Sequence, residues 1–538
     1  MTENVIIDDR IRKSVFPARI FDSSENIDNV SVLTEPTDLQ IGLSETHIAT
    51  VKGRGFVVLD FGREFNGAIR LLTQVIDGGE CKVRIRTGES VSESYAELGE
   101  KNAGNHHTLR DVVVTIPMYS DMEFLQTGFR FARIDFLEDK TVLVKAILAT
   151  EIRRDLTPTG SFVCNDERVN KIFNVAAETL QLCMQTYIWD GIKRDRLVWI
   201  GDMHPETTGI ACLFGSDKSI ESSLDYIRDR TPLPAWMNNI PTYTAWWIVI
   251  LHDYYEQNGN KEYLKRNGEY LKGALNMLND VVREDGTIAM DASFLFDWPS
   301  HETPDEIIGV YALWVLAAKK SRGLLTELGE DTAVCDEMLA KLGKNHLLTG
   351  EKQKQCEAFL VYAGVKPAAE AYDFLVKNGA EGFSTFLSYY ILSAIADSGN
   401  AEQAVKLMKE FYGAMLDMGA TTFWEDFNLG MVKNSAPIDR LPVNGEHDVH
   451  GDFGKYCYLG FRHSLCHGWS CGPVQFLIKK IGGIEILEAG CKKMRVKPKT
   501  AGFTHYEIKY PTPLGIVEIN LNNGKFDIKV PNGVTLVD

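Results

Sequence analysis

The 538-residue chain reads as a multidomain α+β protein, a helical body flanked by β-structure at both ends. Two observations predict this. Hydrophobic residues alternate with period two up to about residue 155, switch to helical spacing near Gly160, and return to alternation after about Leu487. The length suits about three domains better than one ordinary core. The division reads 1–155, 156–486 and 487–538.

The first part carries short alternating runs at 55–61, 68–72, 81–86, 111–116 and 129–136, broken by glycine-rich turns. Strands at this spacing predict a β-sandwich. From Asn165 the apolar positions Val169, Ile172, Phe173, Ala176, Ala177, Leu180 and Cys183 follow a helix, with Asn165 or Asp166 as its cap. Comparable segments recur through residue 481. Ten or more helices suit a toroid of helix pairs better than a four-helix bundle. The tail, with runs at 494–498, 505–510, 515–521 and 526–530, is a small β domain too short to stand alone, and it is expected to pack on the helical body.

Composition excludes several classes. A net charge of −17 argues against nucleic-acid and anionic-membrane partners, which need a basic face. No run of about 18 apolar residues reads as a spanning helix. The N-terminus has neither a basic nor an apolar leader region, and ten scattered cysteines without a C-x-x-C suit a reduced protein. The expected location is cytoplasmic, or periplasmic or secreted where a leader was trimmed. Phosphate-binding glycine loops and a G-x-S-x-G elbow are absent. No cofactor and no metal is expected: His447-Asp448-Val449-His450-Gly451-Asp452 lacks a known zinc context and reads as a solvated loop. Asn105-His106-His107 reads as an exposed turn that could contact ligand. A homodimer is compatible with the sequence.

The chemistry concentrates in Trp189-Asp190-Gly191-Ile192-Lys193-Arg194-Asp195-Arg196-Leu197-Val198-Trp199-Ile200-Gly201-Asp202, where three carboxylates interleave with three cations and two indoles. All nine tryptophans lie in the helical part. An indole offers a flat face to sugar C–H groups and an N–H to a hydroxyl. Glu425 beside Trp424, and Asp297 beside Trp298, repeat the pairing of acid and indole. Asp202 could instead cap the next helix. Glycosidic hydrolysis usually needs two carboxyl groups, and the pattern points to a glycosidase.

These segments resemble the α-L-rhamnosidases of glycoside hydrolase family 78. The family's D-x-P-x-R-E-R-x-G-W-x-G-D motif is matched from Asp190 to Asp202, and its G-A-T-T-x-W-E motif from Gly419 to Glu425. Its S-L-N-H segment resembles Ser464-Leu465-Cys466-His467. The runs 59–67 and 511–515 resemble its flanking β domains. The resemblance implies an (α/α)6 barrel and an inverting exo-glycosidase that removes terminal α-L-rhamnose from oligosaccharides or glycosides. It places Asp195 as general acid and Glu425 as general base. Asp190, Arg194, Trp199, Asp202, Asp297, Trp298, Trp424 and His467 fall at substrate-binding positions.

The match has departures. Asp195 stands where the family has Glu, Ile192 replaces its Pro, Val198 its Gly and Cys466 its Asn. A carboxyl one methylene shorter implies that the loop compensates, that another acid such as Glu206 serves, or that catalysis is impaired. Alternatives are therefore an (α/α)6 glycosidase for uronides or related deoxysugars, with Lys193, Arg194 and Arg196 meeting a carboxylate, or an impaired carbohydrate-binding relative. For Asp195 to be protonated, at least one of Arg194 and Arg196 should point away or pair with Asp190 or Asp202.

Overall fold

The computed structural model describes residues 8–290, 292–301, 303–345, 353–455 and 458–538. The leader reading rests partly on the first seven residues, which lie outside this set, as does Cys457. The chain gathers into two compact units. One comprises Met1–Asp155, Gln181–Leu197 and Met415–His467, the other Leu156–Leu180, Val198–Ala414 and Gly468–Asp538.

In the first unit the alternating runs become strands of one hydrogen-bonded, nine-stranded antiparallel sheet. The strand Gly55–Ile76 is long enough to pair with Ser120–Phe136 along its length and with Thr141–Arg154 over its second half. Irregularities between Asp60 and Phe65 and between Gly67 and Ile69 bend it, which lets one strand serve both partners. Phe61, Phe65 and Phe129 meet edge to face at 4.8–5.8 Å in its buried core.

Gly67 sits where neighbouring backbones crowd: a Cβ there would stand 2.4 Å from the Thr150 carbonyl oxygen. Backbone cannot swing aside as a side-chain tip can. Gly67→Ala is therefore expected to cost about 1–3 kcal/mol, read as a lower urea midpoint with the slope unchanged.

The second unit is mainly helical. Asp166 caps the helix Glu167–Cys183 by accepting from the Arg168 and Val169 N–H groups, at 3.0 and 3.3 Å. Asp217 caps Lys218–Arg230, and Asn260 caps Lys261–Asp280 directly after Gly259 ends Pro241–Asn258 in a left-handed turn. Pro241–Asn258 and Glu306–Leu328 are apolar on most sides and largely buried, whereas Lys261–Asp280 keeps one apolar face. The buried segments touch in a closed series. Met203–Phe214 packs on Pro241–Asn258, which packs on Glu306–Leu328, then Lys354–Tyr362, then Ser388–Asp397. The short turn Gly472–Gln475, continued by the π-helical Phe476–Ile481, returns the series to Met203–Phe214. Among the described residues, no helix is long and apolar enough to cross a membrane.

The C-terminal run does pack on this body. His505–Thr512, Gly515–Asn522 and Lys525–Lys529 form a four-stranded sheet whose outer strand is Ser161–Cys164, from the far end of the unit's sequence. Gln257 ties sheet to helix: its Nε2 donates to the Pro511 carbonyl at 3.0 Å, and it accepts from the Tyr510 hydroxyl.

Candidate active site

In the first unit the segment 189–197 is a loop held from several sides. Gly191 bridges to His467, the Gly128 N–H donates to the Ile192 carbonyl at 2.9 Å, and the Thr127 hydroxyl donates to the Lys193 carbonyl at 3.0 Å. Asp190 closes the loop on itself, its Oδ1 accepting from the Leu197 N–H at 2.9 Å. Asp195 and Arg196 are both left-handed, with φ of 54° and 56°. That backbone region is costly for residues other than glycine and clusters at functional sites.

The guanidinium of Arg194 lies between the two candidate catalytic carboxylates. Nη1 donates to Asp195 Oδ1 at 2.9 Å, and Nη2 lies 2.9 Å from both oxygens of Glu425. Its Nε donates to the Arg462 carbonyl, and its face lies 4.8 Å from the ring centre of Tyr458. Glu425 also accepts from the Ser464 N–H at 3.1 Å, and His467 Nε2 stands 3.5 Å from it and 3.9 Å from Asp190. Asp190, Arg194, Asp195, Glu425 and His467 thus converge.

Burial pushes the Glu425 carboxyl above the ordinary carboxylate range, against the opposing pull of Arg194 and the Ser464 N–H. Burial, reinforced by Arg194 and His463, holds His467 well below the usual imidazole range. Asp195 is more open, its side chain 17% exposed.

The three cations differ from the arrangement that would greet a substrate carboxylate. Arg196 turns away, donating to the Gln126 carbonyl at 2.8 Å and lying over the Trp189 ring. Lys193 is buried, its Nζ bonded to the carbonyls of Phe461 and His463 at 2.7 and 2.6 Å, and 2.9 and 3.3 Å from Glu89 and Glu93. All three are occupied by protein groups, which removes the observation favouring a uronide. Glu89, Glu93 and His450 are spaced as metal ligands, but the ammonium of Lys193 already supplies the positive charge there. Trp424 corrects a sequence expectation: its indole is fully buried, edge-on to Phe427 and near His463, with no face for a sugar.

The second unit holds the other predicted residues. Asp202 precedes the helix Met203–Phe214 but makes no side-chain cap bond, since its own backbone is already helical; it accepts instead from the Tyr243 hydroxyl at 3.0 Å. The capping expectation is overturned. Trp199 is half-buried and meets Tyr243 edge-on. Asp297, buried, accepts from the Ser384 hydroxyl at 2.6 Å, and Trp298 is half-buried against His301. Asp297 and Trp298 line a narrow aromatic pocket of about 10 Å³, room for about one water, with Tyr243, Trp246, Phe386 and Trp469. Phe386 and Trp469 stack there at 5.0 Å. Glu206 is wholly buried. Sequence reasoning did not single out Tyr243, Phe386, Tyr458 and Trp469, because an aromatic with no acid beside it in sequence looks like core.

One unit thus holds a pair of converging carboxyl groups, and the other, mainly helical, an acid beside an aromatic pocket. Residues 157–313 match the bacterial alpha-L-rhamnosidase six-hairpin glycosidase domain. An alpha-L-rhamnosidase of Formosa agariphila is 24% identical over 190 residues, 34% of this chain and 20% of that protein. A family 78 rhamnosidase of Bacillus sp. GL1 superposes with a TM-score of 0.74 at 21% identity, over 94% of this chain and 55% of that one. A rhamnosidase from Klebsiella oxytoca, solved with rhamnose bound, gives 0.69 at 18% identity, over 87% of this chain and 96% of that one. The chain therefore spans a fifth of the Formosa protein and about half of the Bacillus one. It has the mixed α and β fold of the family 78 rhamnosidases, and its residues 157–313 are similar to the glycosidase domain of bacterial α-L-rhamnosidases.

Proposed function

We propose that the protein is an inverting exo-glycosidase that removes terminal α-L-rhamnose, with Asp195 at the acid position and Glu425 at the base position. The observation that carries this is the single guanidinium joining those two side chains, which lie 230 positions apart in the chain. Two carboxyl groups sharing one guanidinium are close enough to act as a glycosidase pair, and the inverting assignment rests on the family resemblance. A base works best when its pKa nears the working pH, which is the direction in which burial moves Glu425. Glu425 then takes a proton from the attacking water. His467 beside it, its Nε2 3.5 Å from Oε1, can help hold that water or a sugar hydroxyl.

In the second unit we assign sugar binding to Trp199, Asp202, Asp297 and Trp298, since partly exposed indole faces suit the C–H face and methyl group of a deoxyhexose. The closed series of buried helices supports the inner ring of an (α/α)6 barrel. The division into a β-sandwich at 1–155, a barrel at 156–486 and a β domain at 487–538 belongs to the same reading. Nine described cysteines are free and buried, which favours a reducing, cytoplasmic setting.

The test is turnover of 4-nitrophenyl α-L-rhamnoside followed by NMR of the first-formed sugar. β-L-Rhamnose is expected. The α anomer refutes inversion, and sugar binding without turnover establishes the impaired-relative alternative.

A further inference from the structure

Asp195 raises a problem for the reading above, on which the following rests. It is shorter than the glutamate of the resembled motif, and the Arg194 guanidinium donates to it at 2.9 Å. One of its oxygens is thus already engaged by a fixed cation, and the shorter side chain reaches less far. The structure supplies a second group. His107 Nδ1 stands 3.5 Å from Asp195 Oδ1, with the imidazole 42% exposed.

The residues next to each partner are tied to one backbone carbonyl. Thr108, next to His107, donates from its hydroxyl to the Gln126 carbonyl at 2.9 Å, and Arg196, next to Asp195, donates to that same oxygen at 2.8 Å. Asn105 pins the turn by accepting from the Arg110 and Asp111 N–H groups. His107 is itself left-handed, φ 61°, facing the left-handed Asp195 and Arg196. Unfavourable backbone at both ends of one contact, tied to one carbonyl, is built geometry and differs from a free surface histidine.

We propose that His107 and Asp195 form an acid dyad in which His107 carries the transferred proton. Nδ1 faces Asp195 Oδ1 at 3.5 Å, which orients the ring, and Nε2–H is left as the outward donor. As the C1–O bond breaks, its electron pair goes to the glycosidic oxygen, which takes the proton from Nε2. Water adds to C1 and gives its proton to Glu425. The neutral imidazole then regains a proton from solvent, to which it is open. The charged group facing His107 is Asp195; of the cations flanking Asp195 in sequence, Arg194 is committed to the two carboxylates and Arg196 to the Gln126 carbonyl and the Trp189 ring.

The test uses the full-length protein and His107→Asn, since asparagine tolerates a left-handed backbone. Two substrates are compared, 4-nitrophenyl and methyl α-L-rhamnoside. The nitrophenolate leaves without a proton, whereas methoxide needs one. The expected result is an unchanged Tm, kcat/KM on the nitrophenyl substrate within a few-fold of wild type, and loss of about 10²–10³-fold on the methyl substrate. Equal losses on both, or an unaffected methyl rhamnoside, overturn the dyad while leaving the rhamnosidase reading intact. Wild-type failure on both substrates overturns that reading and the dyad with it.

Discussion

Glu425→Gln is expected to lower kcat on 4-nitrophenyl α-L-rhamnoside by about 10³-fold while leaving KM within a few-fold, because the amide cannot take a proton from the attacking water. A better leaving group does not rescue this variant, since the lost step is on the water side, and that separates it from His107→Asn. Glutamine keeps the shape of the side chain and can still accept from the Ser464 N–H, so the fold should persist. The wild-type enzyme should also lose kcat/KM as the pH falls through the Glu425 pKa. Burial raises that pKa above the ordinary carboxylate range, so the acid limb should lie higher than for an exposed glutamate. A variant retaining wild-type kcat would remove Glu425 from the mechanism.

The largest effect on stability is expected at Lys193. Its ammonium is buried beside Glu89 and Glu93 and bonded to two carbonyls of the 461–463 segment. Lys193→Met strands those carboxylates with Glu64 nearby, and loss of one partner of a buried ion pair costs about 3–5 kcal/mol. The cost should depend on pH. Even with Lys193 present, burial pushes the Glu89 carboxyl up to about 7, and removal of the lysine raises it further. A carboxyl whose pKa is higher in the folded than in the unfolded state contributes stability that is complete below the unfolded value and is lost as pH rises through the folded one. The variant's deficit in Tm should therefore be small near pH 5 and grow towards pH 8. A deficit independent of pH would show that the carbonyl bonds, and not the carboxylates, set the cost. Activity should fall as well, because Glu89 accepts from Ser464 Oγ and the Leu465 N–H, and the Ser464 N–H is a partner of Glu425.

Much of this was legible in the order of residues. Alternation at 55–61, 81–86 and 129–136 marks strands because side chains there point to opposite faces, and the spacing from Val169 to Cys183 marks a helix for the corresponding reason. Acids beside indoles singled out 190–202, 297–298 and 424–425 as chemistry-bearing segments.

Other features depend on contacts between residues far apart in the chain. Nothing local to Ser161–Cys164 says that it pairs with His505–Thr512, because an edge strand finds its partner only when the chain closes. Trp424 looked like Trp199 in sequence, yet only burial separates the packed indole from the half-open one. Residue types alone identified Asp195 and Glu425 as candidates. The guanidinium that joins them, the histidine facing Asp195 and the lysine beneath were decided in three dimensions, since charge interactions depend on distance and burial, which neighbouring letters do not encode.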